Sequence, residues 1–312
     1  MSRTLAVLFP GQGAQTAGMG KALAQQFSTA AQAFAEADET LGFKLSTLCF
    51  EGPNEALLLT TNAQPAIVAT SIAALRVLEQ ETALRSAYVA GHSLGEYSAL
   101  VAAGAFTFAD ALRVVRERGR LMQEAVPVGV GAMAALFGLS VEAALQVCAE
   151  AAQGEIVSPA NLNGGEQIVV AGHAAAVRRA MTVAKARGAK RAVELMVSAP
   201  FHCALMAPAA EGLARVLETV PVSPLRVGVI ANVTAEVNQD PRQVKDLLVR
   251  QVTAPVRWEE SMQKLHALGC EAAVEIGPGR VLAGLLKRIV PGMACVSCGA
   301  PALVDEARRV VA

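Results

Sequence analysis

Gly91-His92-Ser93-Leu94-Gly95 is a G-x-S-x-G pattern that follows the apolar run Ala87-Tyr88-Val89-Ala90. It opens a segment rich in small residues, 95–104. A strand followed by a helix turns this pattern into a nucleophile elbow, with the serine hydroxyl raised on a sharp turn. The glycines answer the close backbone approach of such a turn. The Leu94 N–H, at the helix start, can face a developing oxyanion. The rival reading is a plain strand-to-helix turn with a capping serine. A nucleophilic serine needs a base, and the histidines are His92, His173, His202 and His266. His92 adjoins the serine and should point elsewhere. His173 ends an expected strand, and His266 sits in a helical run with Lys264. His202 lies in the expected loop Ser198-Ala199-Pro200-Phe201-His202. Serine before histidine is also the chain order of hydrolase-type enzymes. His202 is the expected base. No Asp or Glu stands out as a third member, so a backbone carbonyl is expected to orient the imidazole.

Arg118 is the second chemical signal. At about 100° per residue, Ala111, Val114, Val115, Leu121, Met122 and Ala125 share its side of a helix, while Arg113, Arg116, Glu117, Arg120 and Glu124 fall opposite. A guanidinium on an apolar face must find an anion or a cluster of carbonyls, because burying it alone costs several kcal/mol. An internal ion pair or a snorkelling side chain would answer this. So would a bidentate clamp on a substrate carboxylate. The third signal is Phe9-Pro10-Gly11-Gln12-Gly13, a glycine loop at the end of an early strand. It is not a Walker A loop, since Met19-Gly20-Lys21 replaces Lys-Ser/Thr, and Thr16 spoils G-x-G-x-x-G. In an elbow enzyme such a loop supplies the second oxyanion donor, here the Gln12 N–H. A plain tight turn is the alternative.

The elements that must position these groups follow from hydrophobic patterning. Residues 4–9 and 87–90 read as buried strands, 19–37 as a helix, and a further helix follows Pro65. Residues 95–104 and 110–125 read as helices, the second strongly amphipathic. Near the end, strands are expected near 226–231 and 272–276 and helices near 241–250, 258–268 and 280–289. This alternation predicts a parallel sheet covered on both faces. Between these parts, strands at 131–138, 155–162, 167–172 and 189–197 and helices at 140–152 and 174–187 give the order β-α-β-β-α-β, which is ferredoxin-like. The expected division is a discontinuous α/β domain, 1–126 and 199–312, carrying an inserted domain at 127–198.

Composition bounds the function class. Of 312 residues, 53% are hydrophobic and 17% charged, which excludes a disordered chain. The 27 Lys and Arg balance 27 Asp and Glu, so the basic excess of a nucleic-acid binder is missing. Ala56–Leu75 is free of charge but carries Thr60, Thr61, Asn62, Gln64, Pro65, Thr70 and Ser71, too polar for a lipid-spanning helix. Leu5–Phe9, stopped by Pro10-Gly11, is too short for a signal peptide. A cytoplasmic monomer with free thiols is expected. The six cysteines include one C-x-x-C, Cys295 and Cys298, without a second such pair to complete a zinc site.

Phe-Pro-Gly-Gln-Gly-Ala-Gln at 9–15, Gly-His-Ser-Leu-Gly-Glu-Tyr-Ser-Ala-Leu at 91–100 and Arg-Gly-Arg-Leu-Met-Gln at 118–123 resemble malonyl-CoA:acyl carrier protein transacylases. So do Phe-His-Cys-Ala-Leu-Met at 201–206, Val-Arg-Gln at 249–251 and Glu-Ile-Gly-Pro-Gly at 275–279. The resemblance covers essentially the whole chain. It implies an α/β-hydrolase-like domain with a ferredoxin-like insertion. It also implies Ser93 as nucleophile, His202 as base, Arg118 as the clamp on the malonyl carboxylate, and Gln12 with Leu94 as the oxyanion hole. Gln251 matches an active-site glutamine whose backbone carbonyl would orient His202, and Phe201 resembles malonyl-selective members. The implied reaction is ping-pong transfer from malonyl-CoA to a holo acyl carrier protein, feeding fatty-acid synthesis, without metal or redox cofactor. The carrier protein the family uses is acidic, and the run Arg-Gly-Ala-Lys-Arg at 187–191 is where it is expected to dock, near Arg187, Lys190 and Arg191, with a solvated charged face as the alternative. Polyketide or malonate-decarboxylase transferases, a serine thioesterase or esterase, and a non-catalytic acyl-CoA or carrier-protein binding module are the competing readings. Cys295 and Cys298 lie outside the family pattern.

Overall fold

A computed structural model of the chain describes residues 4–127 and 129–311. Residues 1–3, 128 and 312, which belong to the expected domain spans, lie outside the described residues. The chain opens with β1 (Leu5–Phe9), α1 (Lys21–Gln26), α2 (Ser28–Leu41), α3 (Leu45–Glu51), α4 (Asn54–Leu58) and α5 (Thr60–Glu81). Next come β2 (Tyr88–Gly91), α6 (Gly95–Ala102) and α7 (Phe108–Ala125), then β3 (Gly131–Phe137), α8 (Val141–Ala152), β4 (Val157–Leu162), β5 (Gln167–His173), α9 (Ala174–Ala186) and β6 (Arg191–Glu194). The remainder is α10 (Ala207–Glu218), β7 (Gly228–Ile230), β8 (Val237–Asn238), α11 (Val244–Thr253), α12 (Trp258–Ala267), β9 (Ala272–Ile276), α13 (Val281–Ile289), β10 (Ala294–Cys298) and α14 (Pro301–Val311).

Two sheets result. The larger has the order β10-β9-β1-β2-β7-β8, with every pairing parallel except the short edge strand β8. All five residues of β1 and of β9 are buried, as strands covered on both faces must be. The smaller sheet has the order β4-β5-β3-β6, is antiparallel, and packs α8 and α9 on one face around its own core of Leu136, Val147, Val170 and Val177. It is the expected β-α-β-β-α-β unit, on an α/β-hydrolase-like larger sheet. The two parts meet where β4 bridges at Asn161 to Val256, ahead of α12. Among the described residues, no helix is long and apolar enough to cross a membrane.

Local departures from expectation have local causes. The helix expected over 19–37 breaks at Phe27, whose extended φ of −122° and ψ of 119° separates α1 from α2. Pro65 does not precede a helix but lies inside α5. Proline cannot donate to the carbonyl four residues back, and that carbonyl, Thr61 O, instead accepts from Arg116 Nη1 at 3.0 Å. The strand expected over 189–197 pairs only over Arg191–Glu194, leaving Met196 92% exposed. Helix α7 starts as its sequence directs: Thr107 Oγ1 accepts the Asp110 N–H at 3.0 Å while donating to the Asp110 carboxylate. Its buried face carries Val114, Val115, Met122 and, among them, Arg118.

Candidate active site

The elbow forms where β2 turns into α6. A Cβ on Gly91 would overlap the Gly95 carbonyl, and one on Gly95 would overlap the Phe9 carbonyl oxygen. The sharp turn therefore admits only glycine at both places. Ser93 sits at the apex with φ +50°, a left-handed conformation disfavoured for a residue with a Cβ. His202, on the loop returning from the smaller sheet, has φ +61°. Both strained residues face each other: Ser93 Oγ lies 2.7 Å from His202 Nε2. His202 Nδ1 lies 2.8 Å from the Gln251 backbone oxygen. A carbonyl only accepts, so Nδ1 carries the hydrogen and Nε2 presents its lone pair to the serine hydroxyl. Burial first, then the nearby Arg118 charge, push the imidazole down to about 3. The ring is neutral and able to take a proton across the physiological range.

Arg118 is 2% exposed and reaches the same point from α7. Its Nη1 donates to Gln64 Oε1 at 2.8 Å, and its Nη2 to Gln251 Oε1 at 2.9 Å and to Ser93 Oγ at 3.3 Å. The ring of Tyr97 lies 5.4 Å from the guanidinium carbon. Among the described residues Arg118 makes no ion pair. Two neutral amide oxygens hold it, so its charge stays uncompensated by direct contact and available to an anion beside Ser93.

The larger sheet supplies the rest from the carboxyl ends of its strands, where open α/β sheets bind ligands. Gln12 follows β1 and lines a cleft of about 350 Å³ together with Ser93, His92, Met133, Phe201 and His202. Among the described residues neither the Leu94 nor the Gln12 N–H donates to a protein acceptor, and Leu94 caps α6. Phe201 is 7% exposed on the cleft wall. A larger cavity, about 660 Å³, lies among α1, α2 and α3 around Phe34, Phe43 and Phe50; it has no histidine in its lining, and its Ser46 hydroxyl is bonded to Asp38. The other histidines are engaged elsewhere. His92 Nε2 meets Asn163 Oδ1 at 2.8 Å, His173 Nδ1 accepts from Ile156 N at 2.9 Å, and His266 is exposed at the end of α12.

Three further residues complete the cluster, and sequence reasoning passed over all of them. Asn232, just after β7, accepts from Ser93 N at 2.7 Å and donates to Gly91 O at 2.8 Å, locking both sides of the elbow. Gln64 brackets Arg118. Its Nε2 donates to Thr60 Oγ1 at 3.0 Å, and Thr60 Oγ1 to Gln12 Oε1 at 3.1 Å, so the arginine and the Gln12 loop share one chain of hydrogen bonds. Glu96, 3% exposed, accepts from Gln251 Nε2 at 2.7 Å and from Asn232 N at 3.1 Å. Burial raises its carboxyl to about 7 against those two hydrogen bonds. A buried polar residue on an otherwise apolar or small-residue helix was the available signal for Gln64 and Glu96. Asn232 offered none beyond following a strand.

A neutral histidine on a serine hydroxyl, two free N–H groups and a buried guanidinium can together acylate and deacylate the serine. Residues 7–297 match the family described as acyl transferase domain. The chain belongs to the acyl transferase family. It is 49% identical over 304 residues to the malonyl CoA-acyl carrier protein transacylase of Bacillus subtilis (strain 168), covering 97% of this chain and 96% of that one. It is 46% identical over 302 residues to the transacylase of the same name from Escherichia coli (strain K12), covering 97% and 98%. Among solved structures, an acyl carrier protein S-malonyltransferase from Vibrio cholerae superposes with a TM-score of 0.95 at 48% identity, covering 97% of this chain and 99% of that one. A malonyl-transacylase in complex with its type II PKS acyl-carrier protein gives 0.96 at 46%, covering 98% and 99%.

The remaining expected residues lie away from Ser93. Arg187 donates to Glu150 Oε2 at 2.8 Å, Lys190 Nζ lies 3.0 Å from Glu166 Oε2, and Arg191 stacks 4.8 Å over Phe137. Two of the three cations thus already carry acidic partners. Cys295 and Cys298 stand three residues apart on β10, so their thiols point to opposite faces of the sheet and pack into different cores. Burial pushes them up to about 12 and about 11, which keeps both protonated. Among the described residues, no group of three or more His, Cys, Asp or Glu side chains is placed to hold a metal ion.

Proposed function

We propose that the chain moves a malonyl group from malonyl-CoA to the phosphopantetheine thiol of an acyl carrier protein through a malonyl ester of Ser93. The observation that carries this reading is the meeting of two groups at one serine oxygen. Ser93 Oγ has a neutral imidazole at 2.7 Å and a buried guanidinium at 3.3 Å. His202 Nε2 takes the hydroxyl proton as Ser93 Oγ attacks the thioester carbonyl carbon. The Leu94 and Gln12 N–H groups hold the tetrahedral oxyanion, an effect worth about 3–4 kcal/mol per donor in comparable sites. The imidazolium is steadied through Nδ1–H by the Gln251 carbonyl. When the carbon–sulfur bond breaks, it returns its proton to the departing CoA thiolate. In the second half the pantetheine thiol gives its proton to His202 and attacks the ester carbonyl, and Ser93 leaves and is reprotonated.

Arg118 takes the malonyl carboxylate. The two amides leave free its Nε–H and one N–H on Nη1, and the N–H now on Ser93 Oγ becomes available once that oxygen is acylated. Phe201 bounds the acyl pocket. The catalytic unit is 1–126 with 199–312, and 127–198 is an insertion that brings Met133 and Asn161 to the cleft; the core that the smaller sheet builds with α8 and α9 alone supports that division, while its other face packs on the main core. Fatty-acid synthesis is the destination this reading takes first, and the PKS complex among the neighbours marks polyketide synthesis as the second. The reading takes the chain as a cytoplasmic monomer whose only small-molecule needs are its substrates. Intact-mass spectrometry after mixing with malonyl-CoA should show one malonyl adduct, which holo carrier protein discharges onto itself. Discharge to free malonate at the same rate without carrier protein would make the chain a thioesterase instead.

A further inference from the structure

Among the described residues three carboxylates are buried: Asp38, Glu96 and Glu275. Two serve their own surroundings. Asp38 accepts from the Ser46 N–H and hydroxyl, and Glu275 from the Leu282 and Ala283 N–H groups at the head of α13. Glu96 does something different. It lies in the first turn of α6, three residues after Ser93, and one of its oxygens accepts at once from the loop after β7 and from helix α11.

Each of those donors touches the reacting groups. Asn232 holds the Ser93 N–H and the Gly91 carbonyl, the two ends of the strained turn. Gln251 holds Arg118 by its side-chain oxygen, the Ser93 carbonyl by its side-chain nitrogen at 3.0 Å, and His202 by its backbone oxygen. Gln251 Nε2 is thus shared between Glu96 and Ser93. That fixes which end of the amide faces which partner: turned over, the amide would present NH2 to the arginine and oxygen to the carboxylate. An acceptor at the Glu96 position therefore joins Arg118 and the Ser93 carbonyl in setting the orientation of Gln251, and makes the shortest of its three side-chain bonds. A serine–histidine pair commonly has an acid on the histidine, but here the histidine has a carbonyl.

We propose that Glu96 is the positioning residue of this site, acting through Gln251 and Asn232 to hold Ser93, His202 and Arg118 in register. The proposal rests on Ser93 being the acylated residue. Its essential property is an acceptor oxygen at one place, 2.7 Å from Gln251 Nε2. Two conservative variants separate place from charge. Glu96→Gln keeps an acceptor oxygen there and removes the charge. Glu96→Asp keeps the charge and withdraws the oxygen by one methylene.

The experiment is rapid-quench malonylation, with each rate expressed per active site from the adduct stoichiometry and with a thermal melt on every variant. Displacement of reacting groups by about 1 Å can cost about 100-fold. We expect Glu96→Asp to lose about tenfold or more in the saturating rate, with KM for malonyl-CoA within about threefold of wild type, and Glu96→Gln to stay within about threefold in rate. A role confined to stability would lower the melt or the active fraction and leave the rate per active site unchanged in both variants, which overturns the proposal. Glu96→Gln slower than Glu96→Asp would also overturn it, because charge and not place would then be what matters. The wild-type adduct, read in the same assay, reports separately on Ser93: its absence would defeat the underlying reading whatever the variants do.

Discussion

Replacing Arg118 tests how the site selects its acyl group. Arg118→Ala removes a guanidinium that is 2% exposed and donates to Gln64, Gln251 and Ser93. A malonyl carboxylate brought into that space without a cation is a buried unpaired charge, which costs about 3–5 kcal/mol. At 1.4 kcal/mol per decade this is about two to four decades in kcat/KM. An acetyl group has no carboxylate and escapes that penalty, so the malonyl-to-acetyl preference should collapse by most of the same factor. The substitution also strands Gln64 Oε1 and Gln251 Oε1, at about 1–3 kcal/mol each, so the melting temperature should fall as well. Arg118→Lys should restore stability better than selectivity, because one ammonium cannot meet two amides and a carboxylate in a single plane. The assay is kcat/KM for malonyl-CoA and acetyl-CoA on wild type and both variants, beside a melt. A lower melting temperature with an unchanged malonyl-to-acetyl ratio would refute the carboxylate clamp and leave Arg118 a structural bracket.

Other consequences are open to measurement. His202→Ala should lower malonyl loading by about 10²–10⁴-fold, whereas His173→Ala and His266→Ala should not; the reverse pattern would displace His202 as the base. With the folded imidazole held down to about 3, wild-type loading should show no acid limb near pH 6.5. Below about 6.5 the unfolded chain binds a proton that folded His202 refuses until about 3, so this residue withdraws stability as pH falls through that window. Denaturant titrations of His202→Gln should show a flatter pH dependence there, and an identical slope would contradict the shift. Arg116→Ala should cost about 1 kcal/mol by abandoning the Thr61 carbonyl, and less in a Pro65→Ala background, where the helix can serve that carbonyl itself. Arg191→Glu should raise KM for the carrier protein, more at low salt, and spare malonyl-CoA loading; equal damage to both half-reactions would remove the docking role.

The chemistry of this chain was more legible than its support. Ser93 and Arg118 announce themselves locally, one by the glycines that a tight turn demands, the other by being a cation on an apolar helix face. The alternation of elements was enough for the parallel sheet and for the ferredoxin-like order. What escaped depends on contacts between distant segments. Nothing near Asn232 reveals that it will bond residues 91 and 93, and nothing near Thr61 reveals that Arg116 will free Pro65 to sit inside a helix. Helix α10 is faint in the sequence although Ala209, Leu213 and Leu217 recur every fourth residue, because alanine and glycine dilute the pattern. Strand β10 is equally faint, since it is a half-exposed edge whose Cys-x-x-Cys spacing suggests metal chemistry more than pairing with β9. The two cations at 187 and 190 read as a free patch because their partners, Glu150 and Glu166, lie well upstream in the chain.

The most direct measurement is the site of acylation. Wild type, Ser93→Ala and His202→Ala are mixed with malonyl-CoA, quenched in acid, weighed intact and then digested for peptide mapping. Wild type should carry one malonyl group on the peptide containing Ser93, His202→Ala should acquire it slowly at the same place, and Ser93→Ala should carry none while keeping the wild-type fold by circular dichroism. A malonyl group at normal stoichiometry on folded Ser93→Ala would contradict the assignment of Ser93 as the nucleophile.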